Sequence, residues 1–435
     1  MKKTVLPFLF IGLVSLTFGQ TVKKATSYLE ANQLDKAKTE IDGVLAKNPA
    51  DAEGVYLKSK IYGKIADSIP LRSLVAGDAR VEALDAFKKS VADSNNMKLK
   101  LMIMKDNYHP VFGIYAGYYE DAAKEFNDAA AAGNKAGFEK AMNLFIKADE
   151  VGQYIAQNKW ATIGEVDTTL VLNIGKAALN AGKEDMANQY FTKLADANIK
   201  GLKDTEDESY KVPYQWLTLH YKEAKDEPKM EKYAALGKQF FPADDYFDFV
   251  LMDYYREKKD IPNLFKKYSE LVTKHPDSLR YHFNYANEIF GYLYNSDEGV
   301  VINNKESLLN TLHGELDKGL KLNPNDVNTN WLYSQYFYNN GIETRDRALK
   351  IRSTKPEDVK NKADLNAQAK ASWNEAIPYA DKAITLLEAD HKKEDKSRYK
   401  SIVNLMQNIY QSMEQKDKLK IYQDKYDKAE ETFSN

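Results

Sequence analysis

The chain has 435 residues, of which 43% are hydrophobic and 29% are charged, a composition that supports a buried core and excludes a disordered or collagen-like chain. Its 62 basic and 64 acidic residues give a net charge of -2, so no summed electrostatic field attracts nucleic acid or an anionic membrane. The absence of cysteine excludes disulfide frameworks, Cys-ligated zinc and thiol catalysis.

The N-terminus has the layout of a secretory signal peptide over residues 1–19. Lys2 and Lys3 precede an uncharged, mostly apolar run that ends at Phe18, and Gly19 supplies a small residue for cleavage. The run is about 15 residues long, whereas a membrane-spanning helix needs about 20 apolar residues. A buried N-terminal helix is the weaker alternative. We therefore expect an exported protein that is periplasmic or secreted, in a Gram-negative envelope.

From Thr21 onward the sequence predicts an all-α fold. Apolar residues recur at spacings of three and four, and no long alternating run of β-branched residues is present. Prolines stand where helices begin or end. Pro228 and Pro262 each follow a plausible N-cap aspartate by two residues. Four other prolines follow apolar helical stretches and are expected to end them: Pro49, Pro242, Pro276 and Pro324.

The helical pattern repeats at a fixed period, which the prolines mark. The interval from Pro242 to Pro276 is about 34 residues, and the interval from Pro276 to Pro324 is longer by an insertion of about 14 residues. A unit that starts at Asp245 contains two helical stretches, and the unit that starts at Lys211 matches it without a gap. The apolar positions of the first of these units are Leu251, Met252 and Tyr255, then Leu264, Tyr268 and Leu271.

These units resemble the tetratricopeptide repeat (TPR), which has small residues at positions 8, 20 and 27, a large one at 24 and proline at 32. The unit at residues 18–51 follows this pattern with Ala25, Ala37, Ile41, Val44 and Pro49. The resemblance extends from about Thr21 to about Tyr426. It implies one right-handed superhelical α-solenoid over residues 20–435, built from about eight or nine helix pairs. Gly237 and Gly319 depart from the pattern, because alanine is usual there.

First-helix positions 2, 5, 9 and 12 line the concave groove of TPR arrays, so the resemblance implies a non-enzymatic protein that binds partner proteins or peptides. In the two best units the candidate groove residues are Gln215, Leu219, Lys222, Tyr246, Phe249, Asp253 and Arg256. This mixture suits a peptide that is partly apolar and partly charged. Alternatively, Tyr246 and Phe249 pack between repeats, as we expect for Trp216.

The carboxylate clamp of chaperone-binding TPR proteins is not supported. Those proteins use Lys and Asn at particular groove positions. The matching positions hold Val22 and Thr26 in the first unit, and Leu172 and Lys176 in the unit that begins near Thr168.

Three insertions interrupt the period, near residues 66–80, 295–305 and 341–364. Stacked repeats tolerate insertions only where the inserted residues project from the solenoid. The three are therefore recognition elements or loops without a binding role, and we favour the second interpretation. The polar final helix, from Lys416 to Asn435, is a candidate cap for the end of the array.

No catalytic residue, metal site or cofactor site is predicted, because the six histidines are scattered and no HExxH, GxSxG or phosphate-loop motif occurs. Two functions of different class remain. The first is a scaffold or adaptor that holds envelope proteins through its groove. The second is a carrier or sensor that binds a small molecule or glycan on aromatic side chains. Neither the partner nor the oligomeric state follows from the sequence.

Overall fold

The computed structural model describes residues 21–93, 95–161, 167–202, 207–296 and 301–433. The signal peptide predicted for residues 1–19 lies outside these ranges. The chain divides into two compact units, of which the first ends at Phe247 and the second begins at Asp248. Across the described ranges every regular element is helical, so the predicted all-α class is confirmed.

Unit 1 contains eleven α-helices and the start of a twelfth within its described residues. They are α1 (Val22–Glu30), α2 (Leu34–Lys47), α3 (Ala52–Asp67), α4 (Ala79–Ala92), α5 (Met97–Lys105), α6 (His109–Ala132), α7 (Lys135–Gln157), α8 (Thr168–Asn180), α9 (Glu184–Asp196), α10 (Lys211–Glu223), α11 (Glu227–Phe240) and α12 (Tyr246–Glu257). Two short 3₁₀ helices lie at Ile69–Leu74 and Glu208–Tyr210.

Unit 2 contains the rest of α12 and eight further α-helices within its described residues. They are α13 (Ile261–Lys274), α14 (Leu279–Tyr294), α15 (Lys305–Leu322), α16 (Val327–Lys350), α17 (Pro356–Asp390), α18 (Lys396–Ser412), α19 (Lys416–Asp427) and α20 (Ala429–Thr432). A 3₁₀ helix lies at Lys393–Asp395.

The helices pack as sequential pairs within each unit. In unit 1 the pairs are α1 with α2, α3 with α4, α6 with α7, α8 with α9, and α10 with α11. In unit 2, α14 packs on α15, α16 on α17, and α18 on α19. The guanidinium of Arg256 on α12 donates to the hydroxyl of Tyr268 on α13, which joins that pair. Helix α5 belongs to none of these pairs.

The turn within a pair uses a left-handed residue at the same repeat position. Position 15 holds Asn32, Gly182, Lys225 and Lys259 in four repeats, with φ angles of 55°, 73°, 57° and 57°. Glycine adopts this conformation without strain, whereas other residues are disfavoured there by contact between Cβ and the backbone. The same repeat position therefore has the same backbone conformation in all four repeats, which agrees with the register assigned from the sequence.

Helix ends follow the predicted proline and aspartate signals. The side chains of Asp226 and Asp260 accept hydrogen bonds from the backbone N–H groups of Lys229 and Asn263, which caps α11 and α13. The four helices expected to end before prolines terminate at Lys47, Phe240, Lys274 and Leu322, each two residues before its proline. These expectations are confirmed.

Small residues bring the helices of a pair close together. A Cβ atom on Gly175 of α8 would lie 2.4 Å from Cε1 of Phe191 on α9, so only glycine fits there. Phe191 stands at repeat position 24, where the pattern requires a large residue, and is fully buried. The small and large positions of the pattern thus interlock as expected.

The insertion near residues 66–80 is fixed against α6. Its 3₁₀ helix places Arg72 within 2.8 and 2.9 Å of the two carboxylate oxygens of Asp121, and Arg80 donates to Asp67 at 3.0 Å and to Asp121. The insertion near residues 295–305 connects α14 to α15, and residues 297–300 within it lie outside the described ranges.

The insertion near residues 341–364 is helical, so the expectation of a loop is wrong there. It extends α16 to Lys350 and starts α17 at Pro356, which leaves only residues 351–355 as a connection. The extension packs because α16 offers small residues: a Cβ on Gly341 would lie 2.3 Å from Nε1 of Trp373, and Ala348 is fully buried. This local contact favours helix over loop.

The segment predicted to cap the array contains α19 and α20. Glu430 of α20 accepts hydrogen bonds from Lys396 and Lys400 of α18, at 2.7 and 2.8 Å. Phe433 is buried and its ring lies 4.9 Å from that of Tyr399. These charged and aromatic contacts hold α20 and Phe433 against α18.

Candidate functional site

The groove face, defined as first-helix positions 2, 5, 9 and 12, borders a cavity at the start of unit 1. Helix α1 contributes Val22 and Thr26, at positions 5 and 9. Helix α3 contributes Glu53, Tyr56 and Lys60, at positions 2, 5 and 9. The cavity has a volume of about 340 Å³ and is completed by Leu57 of α3 and by Met102, Lys105 and Asp106 of the α5 segment. Two consecutive repeats therefore present their groove positions to one space.

A carboxylate organises the polar side of this cavity. Asp106 accepts hydrogen bonds from the hydroxyl of Tyr56 at 2.7 Å and from Nζ of Lys60 at 2.8 Å. Burial tends to raise the pKa of Asp106, but these two hydrogen bonds outweigh it and lower the pKa overall. Burial and the bond to Asp106 raise the pKa of Tyr56. The carboxylate therefore stays charged and holds both groove side chains in place.

Helix α5 lies along the groove positions of α3. Lys98 near its start contacts Glu53, and Asp106 just after its end contacts Lys60. The first contact joins the starts of the two helices and the second joins positions further along both. Helix α5 therefore runs parallel to α3. The repeat pattern does not predict this helix, since it falls outside the phase of the repeat. Its only signal is the run of alternating apolar residues and lysines that starts at Met97.

The end of α5 is anchored on an aromatic cluster. The ring of Tyr108 stacks on Trp160 with 4.7 Å between ring centroids, and Trp160 meets Phe87 of α4 edge-on at 5.5 Å. Asn107 and Tyr108 both adopt left-handed backbone conformations, with φ of 50° and 55°. Two consecutive non-glycine residues in this region are strained, so the packing of the Tyr108 ring must hold the turn in place.

Four of the predicted groove residues lie in unit 1, and Asp244 brings two of them together. The side-chain amide of Gln215 donates to Oδ2 of Asp244 at 2.6 Å, and the backbone N–H of Tyr246 donates to Oδ1 at 3.0 Å. Burial, together with the charge of Asp244, raises the pKa of Tyr246. Of the other two, Leu219 is exposed and Lys222 is half-buried.

The other three predicted groove residues lie in unit 2, where they contact neighbouring helices. The guanidinium of Arg256 donates to Glu288 of α14 at 2.9 Å and to Asp253 at 2.7 Å. The hydrogen bond to Glu288 raises the pKa of Arg256 against the opposing effect of burial. The ring of Phe249 lies 6.1 Å from that of Tyr281 on α14. These residues therefore already serve contacts between repeats.

Trp216 packs between repeats, as expected. Its ring lies 5.8 Å from Phe191 of the preceding pair and stacks on His220 at 4.5 Å. Its indole face is thus covered from within unit 1.

Unit 2 contains a second cavity, of about 530 Å³, between α13 and α14. Its aromatic walls are Phe265 and Tyr292, whose rings meet edge-on at 5.7 Å. The other lining residues are Lys259, Ile261, Asn287, Glu288, Gly291, Asn295 and Ser296. A Cβ on Gly291 would meet no atom within 4 Å, so the cavity is open above this glycine. Aromatic walls with amide and hydroxyl groups are typical of small polar ligand sites.

No group of three or more His, Cys, Asp or Glu side chains in the described ranges is placed to hold a metal ion. None of the helices described is long and apolar enough to cross a membrane.

The paired helices, the shared left-handed position 15 and the interlocked small and large residues define a TPR-like helical-repeat protein. The solved structures similar to it include the TPR domain of P58(IPK), with 12% identity, a TM-score of 0.24, and coverage of 80% of this chain and 97% of that one. Yeast Tom70 is also similar, with 12% identity, a TM-score of 0.21, and coverage of 92% and 88%.

A human IFIT1 dimer with m7Gppp-AAAA matches with 12% identity, a TM-score of 0.23, and coverage of 86% of this chain and 90% of that one. With TM-scores this low, the class of this chain rests on its own helix pairs. No protein-family model matches the chain, and no curated protein matches its sequence.

Proposed function

We propose that the protein is a non-enzymatic scaffold or adaptor that binds partner proteins or peptides through its groove face. The observation that carries this proposal is the cavity at the start of unit 1, which the groove positions of two consecutive first helices border together. A mixed lining, with Val22 apolar, Tyr56 amphipathic and Lys60 charged, suits a peptide rather than a single small ion.

We also propose that this scaffold works in the envelope of a Gram-negative bacterium. Support comes from the sequence of residues 1–19, which has the charged start, apolar run and small cleavage residues of a signal peptide. Fractionation of cells that express the full chain with a C-terminal tag tests this. Export predicts a processed form in the periplasm or medium, and an unprocessed cytoplasmic form would contradict it.

The binding proposal is tested with two tryptophan variants of α1. Thr26 lines the cavity, whereas Ser27 is exposed and lines none of it. Both hydroxyls donate to the backbone carbonyl four residues earlier, so Thr26→Trp and Ser27→Trp remove equivalent hydrogen bonds. The variants therefore differ mainly in whether the indole fills the cavity.

Each variant and the wild-type protein are used in a crosslinking pull-down from an envelope extract. We expect wild type and Ser27→Trp to recover the same small set of proteins, and Thr26→Trp to lose them. Equal recovery by all three would place the binding site elsewhere. Recovery of no specific protein would reject the scaffold function. The predicted groove residue Arg256 is less suitable for this experiment. Arg256→Glu would break the hydrogen bond to Glu288 in the next repeat, so a loss of binding could come from altered packing.

The cavity of unit 2 favours a second candidate function, the binding of a small polar molecule or glycan. Gly291→Leu would place a side chain in the open space above this glycine, and Gly291→Ala is the matched control with a shorter side chain. Thermal stabilisation by a protein-free extract is the readout. Stabilisation that Leu abolishes and Ala retains would support a ligand site, and equal shifts in all three proteins would reject it.

A further inference from the structure

The outward face of α5 is the densest exposed apolar surface among the described helices. Met97, Leu101 and Met104 are 65%, 51% and 56% exposed. No other helix in the described ranges exposes more than two large apolar residues. The three positions follow i, i+4, i+7 spacing, so they form one stripe along the helix.

The stripe faces away from the repeats. Leu99 and Ile103 are buried, and at about 100° per residue they lie on the side of α5 opposite to Leu101. Lys98 contacts Glu53 near the start of the helix, and Asp106 contacts Lys60 just after its end, so α5 touches α3 at both ends. The apolar side chains are therefore presented on a helix that is already formed, which lowers the entropy lost when a partner binds.

The charge on α5 has one sign. Its nine residues include Lys98, Lys100 and Lys105, and none is acidic. Lys98 and Lys105 flank the apolar stripe on one side and Lys100 flanks it on the other. Lys105 also lines the cavity of unit 1, so a residue that flanks the stripe borders the cavity as well.

We propose that this outer face docks an amphipathic segment of a partner protein, with an apolar stripe flanked by Asp or Glu. Apolar side chains of the segment cover Met97, Leu101 and Met104, and its carboxylates contact Lys100 and Lys105. Methionine adapts to partner side chains of different shape, which suits a surface that accepts one face of a helix. The proposal deepens the scaffold function and rests on it.

The probe is a synthetic, fluorescently labelled helical peptide of about 18 residues, with leucines at i, i+3, i+4 and i+7 and glutamates on both sides. The comparison peptide has lysine in place of each glutamate. Fluorescence anisotropy with the purified protein should give an affinity at least about tenfold higher for the glutamate peptide. That preference should shrink as salt rises.

Two sets of variants localise the binding. Lys100→Glu with Lys105→Glu should reverse the preference, so that the lysine peptide binds more tightly. Leu101→Ser with Met104→Ser should weaken the glutamate peptide about tenfold. Ile421→Ser is the matched control, because Ile421 is an apolar residue of similar exposure, 48%, on α19. Exposed side chains contribute little to stability, so each variant should fold, and circular dichroism melts check this.

Several results would overturn the proposal. If the charge-reversal variant keeps the same peptide preference, Lys100 and Lys105 do not contact the carboxylates of the segment, and the proposal fails. Binding to phosphatidylserine vesicles that exceeds binding to the peptide would identify a membrane surface. A dimer seen by sedimentation, and lost in Leu101→Ser with Met104→Ser, would identify a second copy as the occupant.

The two levels of proposal can fail separately. If Thr26→Trp loses partners in the pull-down while the α5 variants keep them, and the wild-type protein binds neither peptide, the docking face is rejected and the scaffold function stands. If no specific partner is recovered by the wild-type protein, the scaffold function is rejected as well.

Discussion

The ring of Phe247 occupies the space that a side chain on Gly237 would need, because a Cβ atom there would lie 2.2 Å from Cε1 of Phe247. Gly237 stands at repeat position 27, where alanine is usual, and Phe247 is fully buried. The departure from the repeat pattern at Gly237 therefore compensates for a large residue at the start of α12.

This relationship predicts that Gly237→Ala destabilises unit 1. Alanine normally stabilises a helix interior by about 0.5–1 kcal/mol relative to glycine, but displacing the buried ring should outweigh this and cost about 1–3 kcal/mol. Gly63→Ala in α3 is the control, because a Cβ there meets no atom within 4 Å. Urea denaturation followed by circular dichroism should move in opposite directions for the two variants. A stabilised Gly237→Ala protein would contradict the packing described.

The left-handed turns predict that glycine is preferred at position 15. Lys225→Gly and Lys259→Gly should each raise the free energy of unfolding by about 0.5–1 kcal/mol, because a lysine in this conformation is strained. Gly182→Ala should lower it by about 1 kcal/mol for the same reason. Thermal melts of the three variants provide the measurement. Destabilisation by Lys225→Gly would show that the lysine side chain contributes more than its backbone costs.

A buried hydrogen-bond chain in unit 2 predicts a sharp difference between two substitutions of one carboxylate. Nε2–H of His282 donates to the carbonyl oxygen of Pro276 at 2.8 Å, and Nδ1 of the same ring lies 2.5 Å from Oε2 of Glu315. His282 and Glu315 are both buried. Glu315→Gln keeps a hydrogen-bond partner for Nδ1, because its amide can accept through the oxygen or donate through the nitrogen, and should lower the free energy of unfolding by less than about 1 kcal/mol.

Glu315→Leu should cost about 3 kcal/mol, because it leaves the ring nitrogen of His282 without a partner in the interior. Chemical denaturation of both variants at neutral pH measures the difference. Equal losses would show that the volume of the side chain, and not its hydrogen bond, determines stability at this position.

The pair of arginines on Asp121 predicts an acid-sensitive contribution to the stability of unit 1. Burial tends to raise the pKa of Asp121, but hydrogen bonds from Arg72 and Arg80 lower it overall. A carboxylate with a lowered pKa stabilises the fold at pH values above its unfolded pKa, about 4, and loses that effect as the pH falls further. Asp121→Asn should therefore cost about 3 kcal/mol at pH 7 and progressively less below pH 4.

Asp67→Asn is the control for this experiment. Asp67 also bonds to Arg80, but its side chain is half-exposed, so its loss should cost less than about 1 kcal/mol. Unfolding free energies of both variants are compared with wild type between pH 7 and pH 3. A difference for Asp121→Asn that is constant over this range would contradict the role of its charge.

The sequence predicts the helix pairs and their phase well, because their signals are local. Pro242 and Pro276 mark helix ends, and Asp226 and Asp260 cap helices through atoms three residues away. The loop expected near residues 341–364 was wrong because Gly341 allows a close contact with Trp373, which lies on the following helix. A contact between residues so far apart in the chain leaves no local signal.

The candidate site was harder to predict than the fold. A repeat position identifies which face a residue occupies, but not which neighbour covers it. Arg256 is bound by Glu288, which belongs to the next repeat along the chain. Helix α5 has no counterpart in the repeat, so the template offers no place for it. That the seven groove residues contact a partner stays a prediction.

The connection between the lengthened helices α16 and α17 is a suitable position for an imaging label. Helix α16 continues from Gly341 to Lys350, about 15 Å of additional helix at 1.5 Å per residue, before residues 351–355 reverse the chain. Residues 352–355 are exposed, and no groove position lies among them. A fluorophore or small epitope placed after Ser353 would therefore report the location of the protein in a living cell without replacing any residue that lines either cavity.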